Sequence, residues 1–541
     1  MKLKKKNIAA IDELQIPAIW KNVLLGIALI FIALFFAHKI LFVNADLGRH
    51  IKNGEIISSI LFGNGIKVKE IPGSVNLFTA NYYSYTEPAF PLINHHWGSG
   101  LIFYFIWKFF GFNGLAFFHV LINTATCLLF FKIAQKKSNF IAAFFFLIIS
   151  IPLITSRTEI RPEAFSYFFC GLYYYFLILF SEGKISFRKT FILLIPIQFF
   201  WVNLHIFFVL GIFLTGIFWV ESVIKKKPDL KSFSILLLAQ VAICFLNPNG
   251  FYGFVELFMI FREYGYMIAE NQSLFFMQNR FPESFLYYHF EILFILALSA
   301  FIYLIKKKPE FSFNPHFFIL LFFTVLSFKM IRAIPLWGLF FIPFCSATID
   351  SLKQKVIFFN SRKTLSIFFL FVSSAILFFG FFTKNHYYSP INGINGLGLF
   401  EKINSSADFI KSKKVEGPIF NNYDIGGFMI FNLFPQYKVF VDNRPEAYSV
   451  DFFKKIYEPM QENENKWREL SLKYDFNAIY FYRHDNTPNA QPFLIRRVND
   501  EDWAPVFVDD FTIIFLKRNE KNNNLIKKFE LPKSLFISVP Q

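Results

Sequence analysis

Again and again this chain runs apolar for about the thickness of a bilayer. A helix needs roughly 20 mostly apolar residues to cross the ~30 Å hydrocarbon layer. Runs that reach or approach this length lie at 19–43, 114–134, 139–155, 164–181, 190–204, 206–224, 232–247, 288–305, 313–331, 333–350 and 365–383. They make about eleven candidate spans and exclude a soluble globular protein. Composition agrees: 17% of the 541 residues are charged and 55% are hydrophobic, against a soluble norm of roughly 25% charged. The rival reading of the first run is a cleaved leader, since Val43-Asn44-Ala45 loosely resembles a cleavage site. The run exceeds the roughly 7–15 apolar residues of a signal core, so it is read as a retained span.

Loop charge sets the topology. Gly98–Phe112 is apolar but short, a length that suits an interfacial helix better than a span. With that helix placed at the membrane surface, Lys136-Lys137, Lys184 with Arg188-Lys189, Lys225-Lys226-Lys227, Lys306-Lys307-Lys308 and the run Lys353–Lys363 share a side with the basic N-terminus Met1–Asn7. The positive-inside rule makes that side cytoplasmic. It also assigns the +17 net charge to short loops rather than to a nucleic-acid partner. Counting Gly98–Phe112 as a span would turn every later Lys cluster outward.

An odd span count leaves the tail outside. The expected organisation is a multispanning domain over 1–384, with a first outer loop at 44–113, and an extracytoplasmic α/β domain over 385–541. The tail reads as a helix at Phe400–Lys414 and strands at Pro418–Phe420, Lys438–Val441, Asn477–Tyr482 and Thr512–Leu516, a small layered sheet. It has no GxGxxG and no P-loop. Cys127, Cys170, Cys244 and Cys345 each sit in an apolar run without a CxxC pair, so they read as buried small hydrophobes rather than a zinc or disulfide framework. The 82 Phe, with abundant Lys and Asn, suggest an AT-rich bacterial genome.

The chemistry-bearing residues gather in the outer loops. Asp46, Arg49 and His50 follow the first span, and His95, His96 and Trp97 close that loop. Arg157, Glu159, Arg161 and Glu163 join two later spans, and Asn203 and His205 share a tight turn. Asn247 and Asn249 open the next outer segment, which also holds Glu270, and Arg332 lies in the last tight turn. Ionisable groups at membrane depth are costly and commonly face a site or pathway. Each also has a bland reading: arginine snorkelling or pairing at a span end, Asn203 and His205 satisfying a turn, Trp97 and Trp201 anchoring the interface. In the tail, Asp424, Asp442 and Arg444 lie at strand ends, where they read either as acceptor-facing groups or as a turn and an ion pair.

A carboxylate beside cations suits transfer from a lipid-phosphate donor. Asp46 can take a proton from an acceptor hydroxyl or hold a divalent cation. Arginines can clamp a phosphate and oppose the charge of a departing one.

The pattern Asn44-Ala-Asp46-Leu-Gly-Arg49-His50-Ile-x-x-Gly54-Glu-Ile56, then Ile71-Pro72 and Asn94-His95-His96-Trp97, resembles a bacterial family of multispanning proteins related to the C-type (GT-C) glycosyltransferases. The similarity continues through Arg161-Pro162-Glu163, Trp201-x-Asn203-x-His205, Leu246-Asn247-Pro248-Asn249-Gly250 and Arg332-x-x-Pro335. In the tail it reaches Asn422-Tyr-Asp424-x-Gly426-Gly427 and Val441-Asp442-Asn-Arg444. It implies a GT-C-like helical membrane fold with a C-terminal soluble α/β domain. It implies an inverting transferase of the bacterial inner membrane, moving a sugar from a polyprenyl-phosphate donor to a glycolipid, a polysaccharide or Ser/Thr of an exported protein. Asp46 matches the catalytic acid of the first outer loop. Arg157, Arg161 and Arg332 are then expected on the donor phosphate. Arg49, His50, His95, His96, Glu163, Asn203, His205, Asn247, Asn249 and Glu270 are expected to position substrate, and Asp424, Asp442 and Arg444 to face the acceptor. The loop lacks an Asp-x-Asp pair, which leaves Mg or Mn binding at Asp46 open. The rival functions are a transporter or lipid flippase and a non-catalytic assembly protein. Transporters place binding groups near the midplane on broken helices in repeated halves, and no internal repeat is evident here.

Overall fold

Inside a membrane every backbone N–H and C=O must be satisfied within its own segment, so long apolar stretches fold as helices. The structure, a computed structural model, describes residues 14–63, 78–259, 262–307, 313–351, 362–384, 386–391 and 394–536. Met1–Asn7, Ile71-Pro72, Lys308 and residues 353–361 of the basic run lie outside the described residues. Among those described, eight helices are long and apolar enough to cross a membrane: Ala18–Phe36, Trp97–Lys137, Glu163–Ser181, Phe187–Leu204, Ile206–Ile224, Phe285–Lys306, Ile331–Ile349 and Lys363–Phe382. The three remaining apolar runs fold as the shorter helices Phe140–Ile154, Leu230–Ile243 and Pro315–Lys329.

Two details differ from the sequence reading. The first helix ends at Phe36, not near Val43. Beyond it, Lys39 N–H donates to Ile394 O at 2.7 Å and the His38 ring meets Thr158 O at 3.1 Å, so these groups find partners outside a helix. The segment read as the first outer loop contains the helix Leu47–Phe62. The separation of Gly98–Phe112 from the next run appears as a break at Gly111, whose φ of 63° is a left-handed value that glycine tolerates.

The contacts divide the chain into two compact units. The first comprises Met1–Lys39, Ala116–Cys244 and Ile268–Leu397. Its centre is the helix Phe140–Ile154, all of whose residues are buried; a helix apolar on every side belongs in such a place. Phe145 stacks on Phe369 at 4.0 Å, and Phe146 meets Phe341 edge-on at 5.6 Å.

The second unit comprises Ile40–Leu115, Phe245–Met267 and Gly398–Gln541, so the compact units cut the chain differently from one boundary at 384/385. Its sheet has the order β1-β2-β4-β3, with β1 Ile419–Asn421, β2 Ala478–Tyr482, β3 Trp503–Val508 and β4 Thr512–Lys517. β1 and β2 are parallel and the other pairs antiparallel. Phe420, Phe440, Trp467, Phe476 and Phe493 fill the core beneath it. The expected helix Phe400–Lys414 is realised as Ser405–Ser412.

The expected strand at Lys438–Val441 does not join this sheet. It pairs instead with the loop after the first helix: Tyr85 N–H donates to Val439 O at 3.1 Å, and Val439 N–H to Tyr83 O at 3.0 Å. Glu87 adds a second tie, accepting from Ser449 N–H at 2.6 Å and Ser449 Oγ at 2.7 Å. These bonds fix the first loop to the tail. β3 went unread because Pro505 interrupts its pattern; it is an edge strand with an irregularity at Pro505–Phe507, where proline is tolerated.

Candidate functional site

In the second unit, Asp46 is the N-cap of the helix Leu47–Phe62, and its carboxylate makes no capping bond. The helix N-terminus favours a negative group there. One turn on, Arg49 Nη2 lies 3.8 Å from Asp46 Oδ1, with the Asp46 side chain 19% exposed and that of Arg49 7%. Close glycine contacts hold this turn. A Cβ on Gly48 would lie 2.6 Å from Gly427 O, and one on Gly427 would lie 2.8 Å from Ala45 O. The start of the helix Gly426–Leu433 is thereby pressed against both flanks of Asp46. His50 and His96 meet edge to face at 5.4 Å. His95 is pushed down to about 4 by burial, so its ring is neutral at pH 7.

The tail residues take different places. Asp442 is fully buried: its Oδ1 accepts from Arg444 Nε at 2.7 Å, and its Oδ2 from Arg444 Nη2 at 2.6 Å and Tyr448 Oη at 3.1 Å. Arg444 also donates to Asn81 Oδ1 at 2.7 Å. Burial alone would disfavour the Arg444 charge, but Asp442 outweighs it and holds the pKa above the ordinary arginine value. This pair ties the tail to the first loop. Asp424 stands next to Tyr423, whose N–H donates to Tyr457 Oη at 2.7 Å. Burial, then the charges of Glu446, Asp46, Asp424 and Asp442, raise the Tyr423 pKa well above its usual value. Burial also raises that of Glu446, against the pull of Arg49. Tyr423 and Glu446 were not singled out in the sequence; only the motif around Asp424 pointed to their neighbourhood.

Asn247 and Asn249, in the same unit, build a turn. Asn247 Oδ1 accepts from Asn249 N–H at 2.8 Å, and its Nδ2 donates to Gly250 O at 3.0 Å.

The first unit holds the second cluster. Arg157 reaches Glu163 through Nε at 3.2 Å and Nη2 at 3.0 Å, and Glu270 through Nη1 at 2.5 Å. Arg161 bonds Glu159 at 2.6 Å and Glu270 at 3.2 Å. Arg332 bonds Glu163 Oε1 at 2.7 Å and Asn271 Oδ1 at 3.1 Å. Three guanidinia thus face the enclosed carboxylates Glu163 and Glu270, while Glu159 is 56% exposed. With Glu159 paired to Arg161, three carboxylates balance the three guanidinia. Burial would raise the Glu270 pKa, but Arg157, Arg161 and Arg332 bring it down to about 2. The sequence allowed arginine pairing at this span end; in the structure the pairing reaches Glu270 and Arg332 as well. His205 caps two helical segments, with Nδ1 2.8 Å from Ser166 Oγ, which also accepts from Trp201 Nε1 at 2.7 Å. Asn203 Nδ2 donates to Phe199 O at 2.8 Å.

No protein-family model and no curated protein matches the chain. Solved structures do. The oligosaccharyltransferase AglB of Archaeoglobus fulgidus, in complex with an inhibitory peptide and a dolichol-phosphate, superposes with a TM-score of 0.58 at 11% identity, over 90% of this chain and 72% of AglB. Its apo form gives 0.56 at 9% identity, over 93% and 75%. The chain shares the fold of this oligosaccharyltransferase. The arabinofuranosyltransferase AftD from Mycobacteria is similar at a TM-score of 0.54 and 13% identity, over 93% of this chain and 42% of AftD. This chain therefore spans less than half of AftD and about three quarters of AglB. The GT-C architecture implied by the resemblance is the one observed.

Proposed function

We propose that the protein is a GT-C-type glycosyltransferase that moves a sugar from a polyprenyl-phosphate donor to an acceptor on the extracytoplasmic side of a bacterial inner membrane, with its N-terminus cytoplasmic. The observation that carries this reading is Asp46, held at a helix N-terminus within a GT-C fold beside the Arg49 guanidinium.

The acceptor oxygen attacks the anomeric carbon while the bond from that carbon to the phosphate oxygen breaks. Asp46 takes the hydroxyl proton. The polyprenyl phosphate leaves with the bonding pair, and attack opposite the leaving group inverts the anomeric centre. Arg157, Arg161 and Arg332 are assigned to the phosphate, where cations oppose the charge that develops.

Among the described residues, no three His, Cys, Asp or Glu side chains are grouped as a metal site. Asp46 offers one carboxylate, and Mg is often held by one or two carboxylates together with substrate phosphates. If Mg or Mn binds here, Asp46 is its protein ligand, and the cation adds positive charge toward the phosphate.

The test is transfer from a polyprenyl-phosphate-sugar in proteoliposomes. Asp46→Asn is expected to lose about 100-fold or more of the rate while keeping the thermal stability of the parent. Unchanged transfer overturns the assignment. Repeating the assay with EDTA separates the two roles of Asp46: a base survives chelation and a metal ligand does not.

A further inference from the structure

The corner around Asp46 has a second component that the transfer chemistry does not use. Tyr423 and Tyr266 lie 4.4 Å apart with their rings inclined by 31°, and Tyr266 packs on Phe453 at 5.1 Å. Both tyrosines are only partly buried against the core. Four residues on from Tyr423 comes Gly427, whose backbone abuts Ala45 and Gly48. The aromatic pair is therefore anchored to the turn that carries Asp46, and Tyr423 feels the charges of Asp46, Asp424 and Glu446.

Among the described residues, the buried atoms Arg49 Nε and Asn443 Oδ1 in this corner have no hydrogen-bond partner. Asn443 lies against Gly427, with its Nδ2 3.1 Å from where a Cβ would be. One atom is an unused donor and the other an unused acceptor, and unmatched buried polar atoms call for an explanation. A hydroxyl can satisfy both kinds, because it donates and accepts.

Aromatic rings and carboxylates together select one ligand chemistry. The C–H face of a sugar ring is apolar and flat enough to lie on an aromatic side chain, while its rim of hydroxyls donates to carboxylates. A serine or threonine peptide offers one hydroxyl and no such face. We infer that Tyr423, backed by Tyr266, binds a sugar ring of the acceptor beside Asp46, and that the acceptor is a carbohydrate rather than a peptide. The inference rests on the transferase reading above and narrows it.

The test uses the full chain in detergent and saturation-transfer NMR with methyl glycosides of glucose, galactose and mannose, alongside a short Ser/Thr peptide. At least one glycoside is expected to receive saturation through its ring C–H protons. Tyr423→Ala should weaken that binding about tenfold, the scale of one lost aromatic contact, and Tyr423→Phe should retain most of it. Tyr266→Ala supplies an independent variant if Tyr423→Ala does not fold. Binding that is absent in the parent, or equal in the parent and in both alanine variants, overturns the inference, as does saturation of the peptide alone. Asp46→Asn keeps the two proposals apart. Glycoside binding retained in Asp46→Asn, with no transfer by the parent protein from any polyprenyl-phosphate-sugar, sinks the transferase and leaves the sugar site. Transfer to peptide without glycoside binding sinks the sugar site and leaves the transferase.

Discussion

Arg332 Nη2 donates to Glu163 Oε1 at 2.7 Å, across 169 positions of sequence, while Arg157 holds the other oxygen of the same carboxylate at 3.0 Å. Glu163 is thus the common counter-ion of two guanidinia. Replacing it with Gln keeps the shape and removes the charge. Breaking an enclosed ion pair from one side costs about 3–5 kcal/mol, and two cations lose a partner here, although Arg157 keeps Glu270 and Arg332 keeps Asn271. Glu163→Gln is expected to melt well below the parent in detergent, and Glu163→Asp should recover part of the loss. A melting point unchanged by Glu163→Gln would mean that the network is not a stability element.

Asp442 and Asp424 should behave differently although both were read as acceptor-facing. Asp442 is sealed under Arg444 and Tyr448. Asp442→Asn leaves the Arg444 charge enclosed, so stability and transfer should fall together, with about 3 kcal/mol lost. Asp424→Asn is expected to lower transfer with little change in melting temperature. Denaturant unfolding of both variants, beside the transfer assay, checks the contrast.

How far the sequence discloses this molecule depends on the kind of signal. The apolar runs were legible because lipid allows them one local solution, the helix. Asp46, Arg157, Arg161 and Arg332 stood out as charges at the ends of such runs. What stayed hidden depends on partners distant in sequence. Val439 has the look of a sheet strand, yet it pairs with Tyr83 and Tyr85, and no local pattern announces that choice. Glu270 lies in an irregular segment more than 100 residues from Arg157 and Arg161, and nothing around it marks it as their counter-ion. Tyr423 looked like part of a motif, and its stacking on Tyr266 appears only once the chain is folded.

Glu270 gives the network a defined pH response. Its folded pKa is depressed to about 2 by Arg157, Arg161 and Arg332, against the opposing effect of burial. A depressed carboxylate stabilises the fold fully above its unfolded pKa, and that contribution drains away as pH falls toward the folded value. The unfolded value is roughly 4.3. The difference in melting temperature between the parent and Glu270→Gln should therefore stay constant from pH 8 to about pH 5 and shrink only below about pH 4. A gap that closes between pH 7 and pH 6 would show that Glu270 titrates near neutrality and is not held by the arginines.

Gly48 tests whether the Asp46 turn needs its close backbone approach. A Cβ there would sit 2.6 Å from Gly427 O and 3.0 Å from the Phe431 Cβ. The nearest obstacle is backbone rather than the tip of a flexible side chain, so one of the two helices has to move. Overpacking of this kind costs about 1–3 kcal/mol, and a shift of about 1 Å in a reacting group can cost on the order of 100-fold in rate. Gly48→Ala is expected to lose far more transfer than stability, because the displaced backbone carries Asp46. Gly183→Ala is the control: its φ of 69° makes it mildly strained, but a Cβ there meets nothing within 4 Å, and it should keep its transfer rate. Equal transfer by Gly48→Ala and the parent would mean that the contact with Gly427 does not position Asp46.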